Sequence, residues 1–232
     1  MRVQELMPRP ARNVLRPAYY VLLRNWYRFH PKSIEEIHEF WRNHPDLEDP
    51  GNDPRSYATR PAGADFLASL LRRYVPIEGR VLEIGCNVGR NLNAAFQVGY
   101  RNLQGIELNP KAVELMKEYY PEMASVVKIH VGLVEDLIGS IGNVECVYTK
   151  GVLEHIHSSS NWIFPELAKR ASTIITMEDE NSLGWRWFPR NYKRLFESLG
   201  MKQVEEIDNA HLPSSIQAEL KTFSTRVFRK SH

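Results

Sequence analysis

A chain of 232 residues with 43% hydrophobic and 25% charged content holds enough apolar material for one large core and is far from the composition of a disordered chain. The formal charge of +2 excludes a uniformly basic or acidic protein, yet residues 1–32 hold seven Arg or Lys and one acid, so this segment carries +6 and the remainder −4. The longest apolar run near the N-terminus, Ala18 to Leu23, is too short to cross a bilayer and no cleavable leader pattern precedes it, so a cytoplasmic location is expected.

The first segment interleaves Tyr19, Tyr20, Trp26, Tyr27 and Phe29 with its arginines. That pattern suits a helix packing its aromatic face on the domain, or an arm that meets a membrane surface or a lipid-linked substrate; nucleic acid is the least favoured partner. From Ser33 to Trp41, the positions Ile34, Ile37, Phe40 and Trp41 recur at helical spacing behind a Ser that can cap. The stretch from Asn43 to Pro54 is rich in Pro, Asp, Asn and Gly and reads as a loop. The expected organisation is therefore a helical arm or lid over residues 1–60 and a main domain over 61–232. Ala62 to Tyr74 opens that domain as a helix with Phe66, Leu67, Leu70 and Leu71 on its buried face.

Val81, Leu82 and Ile84 read as a buried strand running into Glu83, Gly85, Cys86, Asn87 and Gly89. Two glycines four residues apart let the backbone turn sharply and approach a ligand where a Cβ would collide. The run Leu103 to Leu108 reads as a second strand carrying Glu107 near its end, twenty-two residues after Gly85, where a carboxylate can accept hydrogen bonds from both ribose hydroxyls. A ribose-bearing ligand follows. The dinucleotide pattern G-x-G-x-x-G fails at two positions, because its second and third glycines would be Asn87 and Arg90. Asn is the least disruptive replacement where a positive φ is needed.

Beyond this turn, strands and helices alternate. Leu92, Ala95 and Phe96 mark a helix closed by Gly99, and Asn109 with Pro110 opens another that ends at Pro121. Strands are expected at Ser125 to Val131, Val144 to Thr149 and Thr173 to Met177. A helix follows over Pro189 to Leu199 and stops at Gly200. Two strands, Lys202 to Ile207 and Thr222 to Arg229, finish the chain, and the link Asp208 to Lys221 contains Pro213 and no clear strand, so the last strand is expected to return antiparallel. Such alternation implies an α/β fold with a mostly parallel sheet covered by helices on both faces. Cys86 and Cys146 offer neither metal spacing nor a disulfide framework and read as small core residues, although Cys86 also falls inside the ligand turn.

Glu83, Gly85 and Gly89 resemble motif I of the class I S-adenosylmethionine (SAM) methyltransferases, E/D-x-G-x-G-x-G, with Asn87 at the middle glycine. The resemblance covers roughly Arg60 to Arg229 and implies a Rossmann-like seven-stranded sheet with an antiparallel last strand. It also implies SAM as cofactor, S-adenosylhomocysteine as product, and transfer to a small-molecule or sugar-like acceptor. On it, Glu83, Gly85, Cys86, Asn87 and Gly89 line the methionine and ribose side, and Glu107 with Leu108 holds the ribose. The family's third motif usually reads Gly-Asp-Ala-Glu-Asp-Leu; here Gly132 is followed by Leu133 and Val134, which can sandwich the adenine but cannot supply the acid that contacts its amino group. Glu135 and Asp136 read equally well as a solvated helix start.

The run from Tyr148 to His157 contains Leu-Glu-His-Ile, which resembles a signature of many small-molecule methyltransferases and implies Lys150 and Gly151 at the methionine end. His155 or His157 would then lie beside the acceptor, where a base of near-neutral pKa assists O-methylation; the structural alternative is that these histidines cap or pack the following segment. A metal set built on Glu154, His155 and His157 is disfavoured, since Gly151 stands where the related metal-binding motif has its first acid. Trp185, Trp187 and Phe188 could stack on an acceptor ring, and Arg186 or Arg190 could hold an anion; otherwise this loop docks on the core. Tyr57 and Arg60 could fold over the cofactor and pair its carboxylate. The rival readings are a nicotinamide-dependent reductase or epimerase, a binding module without chemistry, and an RNA methyltransferase working through the basic arm.

Overall fold

The computed structural model describes residues 22, 26, 30, 32–43, 53–58 and 62–230. Arg60, most of the basic arm and nearly all of the loop following Asn43 lie outside them. Seven strands form one sheet: β1 Val81–Ile84, β2 Leu103–Glu107, β3 Lys128–Val131, β4 Val144–Lys150, β5 Ala171–Asp179, β6 Met201–Ile207 and β7 Phe223–Lys230. Their spatial order is β3-β2-β1-β4-β5-β7-β6. The five strands from β3 to β5 pair in parallel, and β7 inserts antiparallel between β5 and β6. The sheet order reverses between β1 and β4, so their carboxyl ends diverge into a crevice.

Each side of the sheet packs its own apolar layer because strand side chains alternate. Val81, Tyr148, Ile175 and Met177 join Leu67, Leu70 and Leu71 of the helix Ala62–Tyr74 on one side. Leu82, Ile84, Val147 and Ile174 join Phe164 and Leu167 of Ile163–Arg170 and Phe196 of Tyr192–Ser198 on the other. Cys86 and Cys146 are both buried, unoxidised, and packed in the first layer.

Most expected elements appear, with shifted ends. The third strand is Lys128–Val131 and does not start at Ser125, because Pro121–Ala124 forms a helical turn whose carbonyls bind the amides of residues 125–127. The fifth is longer at both ends, since Ala171 pairs with Val144 of β4 at its start and antiparallel pairing with β7 continues through Asp179. The helix expected from Pro189 begins at Tyr192, where Asn191 caps it by accepting the Arg194 N–H at 2.8 Å. The β6–β7 link, where no strand is expected, has none and contains the short helix Ser214–Glu219.

Candidate active site

The turn after β1 is built from three left-handed residues: Gly85 at φ 69°, Asn87 at φ 48° and Gly89 at φ 76°. Asn87 is the one non-glycine with positive φ among the described residues. Its side chain makes the conformation tolerable by accepting the Val88 N–H at 2.8 Å. A Cβ on Gly85 would stand 2.5 Å from Cγ2 of Val152, and one on Gly89 would stand 2.7 Å from Cγ of Met116. The first glycine thus lets β1 and the segment after β4 close on each other; the second lets the helix Arg90–Gln97 seat against its neighbours.

Glu107 ends β2 and ties this turn to the next one: its carboxylate accepts the Asn87 N–H and the Asn109 N–H, each at 2.7 Å. Burial pushes its pKa up, while backbone N–H groups at Asn109, Asn87 and Leu108 pull the other way. A carboxylate has about four acceptor positions, so these amides leave capacity for a ligand.

These groups open on a cavity of about 560 Å³ at the strand crossover. Of the residues singled out from sequence, Tyr57, Gly85, Cys86, Asn87, Glu107, Leu108, Leu133, Val134, Lys150, Gly151, His155 and His157 line it together. Glu83 and Gly89 do not. Glu83 lies beneath the floor, 1% exposed, accepting from Asn91 Nδ2 at 2.7 Å and from the Tyr148 hydroxyl at 2.9 Å. Burial, only partly offset by those bonds, raises its pKa to about 7.

The wall at the β4 end is ionic. Lys150 pairs with Glu219 of the β6–β7 link, Arg90 Nη2 reaches the same carboxylate oxygen at 3.2 Å, and the Gly63 N–H donates to its other oxygen at 2.8 Å. Burial favours neutral Lys150 and depresses its pKa despite this partner. For Glu219 burial acts upward, but Lys150 and Arg90 outweigh it and hold the carboxyl below its ordinary range.

The opposite wall is aromatic. The His155 ring lies 4.5 Å from that of Trp41 and 5.4 Å from that of Trp187. Its Nδ1 is 2.8 Å from the Arg186 carbonyl, which fixes Nδ1 as the protonated nitrogen and leaves Nε2 as an acceptor. Burial pushes its pKa down to about 4. Beside it, Glu178 accepts the amides of Val152 at 2.9 Å and Leu153 at 2.8 Å, and Glu154 accepts that of Asp179 at 3.2 Å. Burial and the facing Glu178 push the Glu154 carboxyl well above the ordinary carboxylate range, so the pair holds a proton at neutral pH.

His157 takes the structural role: its Nδ1 accepts the Ser159 N–H at 3.2 Å and its ring packs 4.8 Å from Phe188. Arg190 likewise holds the protein rather than an anion, donating to the carbonyls of Leu153, Ile156 and Phe188 and to Asn161 Oδ1. Arg186 is stacked among Phe40, Trp41, Trp185 and Trp187, with its guanidinium carbon 4.5 to 5.7 Å from their ring centres. This cation–π cluster joins the helix Ile34–Asn43 to the segment after β5. His38, on the same helix, bonds Glu135 at 3.2 Å, and Ile37, His38 and Trp41 all line the cavity. The apolar face of that helix was visible in the sequence, but nothing there indicated its partner. Glu219 was missed: a single acid in Gln-Ala-Glu-Leu carries no local signal. Among the described residues no group of three His, Cys, Asp or Glu side chains is placed to hold a metal ion, and no helix is long and apolar enough to cross a membrane.

Residues 82–170 match the model of a methyltransferase domain. No curated protein matches the sequence significantly. Among solved structures, magnesium protoporphyrin IX methyltransferase ChlM from Synechocystis PCC 6803, with S-adenosylhomocysteine bound, superposes with a TM-score of 0.55 at 16% identity, covering 72% of this chain and 82% of that one. The glycopeptide N-methyltransferase MtfA, also complexed with S-adenosylhomocysteine, gives 0.58 at 10% identity over 73% and 90%. The CcbJ methyltransferase from Streptomyces caelestis gives 0.56 at 11% identity over 74% and 90%. At these identities the likeness is one of fold, and that fold is the Rossmann-like methyltransferase sheet.

Proposed function

We propose that this protein is a SAM-dependent methyltransferase acting on a small-molecule or sugar-like acceptor, with a hydroxyl oxygen as the atom methylated. The observation that carries the reading is the joint: a left-handed turn after β1 tied through its Asn87 amide to the β2 carboxylate of Glu107, opening on one cavity at the strand crossover. The left-handed backbone through Gly85 and Asn87 and the acceptor capacity left on Glu107 suit a ribose with an attached base, and Leu133 and Val134 offer apolar contacts for that base. Bound there, SAM supplies a methyl group carried on a sulfonium sulfur.

The chain's own contribution is alignment and proton handling. Placing an acceptor oxygen against the methyl group removes much of the entropic barrier. Burial makes His155 a weaker base than the near-neutral one expected from the sequence, with Nε2 unprotonated above pH about 4, so it takes the hydroxyl proton only once methyl transfer has made the oxygen strongly acidic. Ile37, Trp41 and Trp187 give this side of the cavity an apolar lining.

Calorimetric titration with SAM, S-adenosylhomocysteine and NADH tests the cofactor. Micromolar binding of both sulfur ligands without NADH is expected; NADH binding alone would favour the reductase reading. With an acceptor found, His155→Ala is expected to keep SAM affinity and to lower turnover on the order of 10²-fold. Unchanged turnover would remove His155 from the mechanism.

A further inference from the structure

The ionic wall is more elaborate than one internal salt bridge requires. Glu219 stands on a six-residue helix in the β6–β7 link, outside the sheet, yet its carboxylate fills a cradle made by three donors from three distant parts of the chain. These are Nζ of Lys150 at the end of β4, Nη2 of Arg90 just after the left-handed turn, and the Gly63 N–H in the first turn of the helix Ala62–Tyr74. Two side-chain cations and a helix N-terminus form a general carboxylate site. Gly63 leaves room for nothing larger than a hydrogen, because a Cβ there would lie 2.4 Å from Lys150 Nζ and 2.7 Å from the Glu219 carboxyl carbon. The donor capacity is not exhausted: Nε of Arg90 is buried without a hydrogen-bond partner. Lys150, Arg90 and Glu219 all line the cavity.

We propose that Glu219 is an internal place-holder in the subsite for the carboxylate of the cofactor's amino-acid tail, and that the ligand carboxylate exchanges with it. This deepens the SAM reading and rests on it. Exchange keeps one carboxylate in the cradle, since one leaves as another enters, so neither cation is left unpaired in the low-dielectric wall. It also frees the helix Ser214–Glu219 from its tether, so occupancy of the tail subsite loosens the β6–β7 link.

Binding of S-adenosylhomocysteine is compared with that of 5′-methylthioadenosine, which keeps the adenosine and sulfur but lacks the amino-acid tail. In the parent protein the tailed ligand should bind on the order of tenfold tighter. Glu219→Gln removes the competitor and should widen that ratio severalfold, whereas Lys150→Met should collapse it. Amide exchange over residues 208–222 of the parent protein should quicken with S-adenosylhomocysteine and not with 5′-methylthioadenosine, a readout independent of any variant's folding. A ratio that is unchanged or narrowed in Glu219→Gln, or exchange equal with both ligands, would overturn the place-holder while leaving the SAM reading intact. Failure of both nucleosides to bind would overturn the two together.

Discussion

The two halves of the cavity are built by different means. On the β1–β2 side the shape is made by the backbone: three positive φ values and one carboxylate accepting two main-chain amides. On the β4–β5 side it is made by side chains brought from afar, with Trp41, His155, Trp187 and Arg186 stacked together and Lys150, Arg90 and Glu219 sharing charge. Backbone geometry restricts residue type tightly, since few residues but glycine tolerate a left-handed turn in a crowded site. Stacks and ion pairs admit many sequences, so a backbone-built turn of narrow residue choice and side-chain walls of freer composition can share one sheet.

The largest test of that contrast is Gly85→Val. It adds left-handed strain for a β-branched residue to a collision with Val152, so a loss of about 4 kcal/mol in folding free energy is expected from chemical denaturation. Asn87→Gly, two residues on, should change stability by less than about 1 kcal/mol, because the backbone is already left-handed and only the bond to Val88 is lost. Comparable losses at both positions would mean that packing, not backbone conformation, shapes this half.

The same contrast explains what was legible in the sequence. The glycine spacing, the acid at the end of the second strand, Asn109 and Pro110 at a helix start, and the buried face of Ala62–Tyr74 each follow from local constraints, and the structure has them. The positive φ inferred at Asn87 is there as well. What local rules do not encode is pairing over long separations. Glu219 meets Gly63 across 156 residues and His38 meets Glu135 across 97. Arg190 reads as an anion binder beside three aromatics, yet the carbonyls it serves are 34 and 37 residues upstream. Glu83 matched the motif but sits under the floor, because its strand position points it at Asn91 and Tyr148.

Arg190→Ala strikes the side-chain half. It strips donors from the carbonyls of Leu153, Ile156 and Phe188, and a loss of about 3 kcal/mol is expected where those groups lack water. SAM affinity should fall much less than turnover, since the segment it clamps carries His155. Equal losses of affinity and turnover would show that the two halves are mechanically one.

Glu83 supplies the finest test, because it lies below both halves and its charge state depends on pH. Its folded pKa of about 7 is raised above the ordinary 4.5, so its contribution to stability is complete below pH 4.5 and is lost as pH rises through 7. Ionisation within the fold is resisted by burial, against bonds from Asn91 and Tyr148. Glu83→Gln keeps the shape and cannot ionise, so the variant should gain on the parent by on the order of 3 kcal/mol from pH 4.5 upward, most of it by pH 7 and only a few tenths more to pH 8. Denaturation curves at three pH values measure this. A difference independent of pH would mean that Arg90 and Lys150, within electrostatic reach of the carboxyl, already keep it ionised, and the ionic wall above would then extend into the floor of the cofactor half.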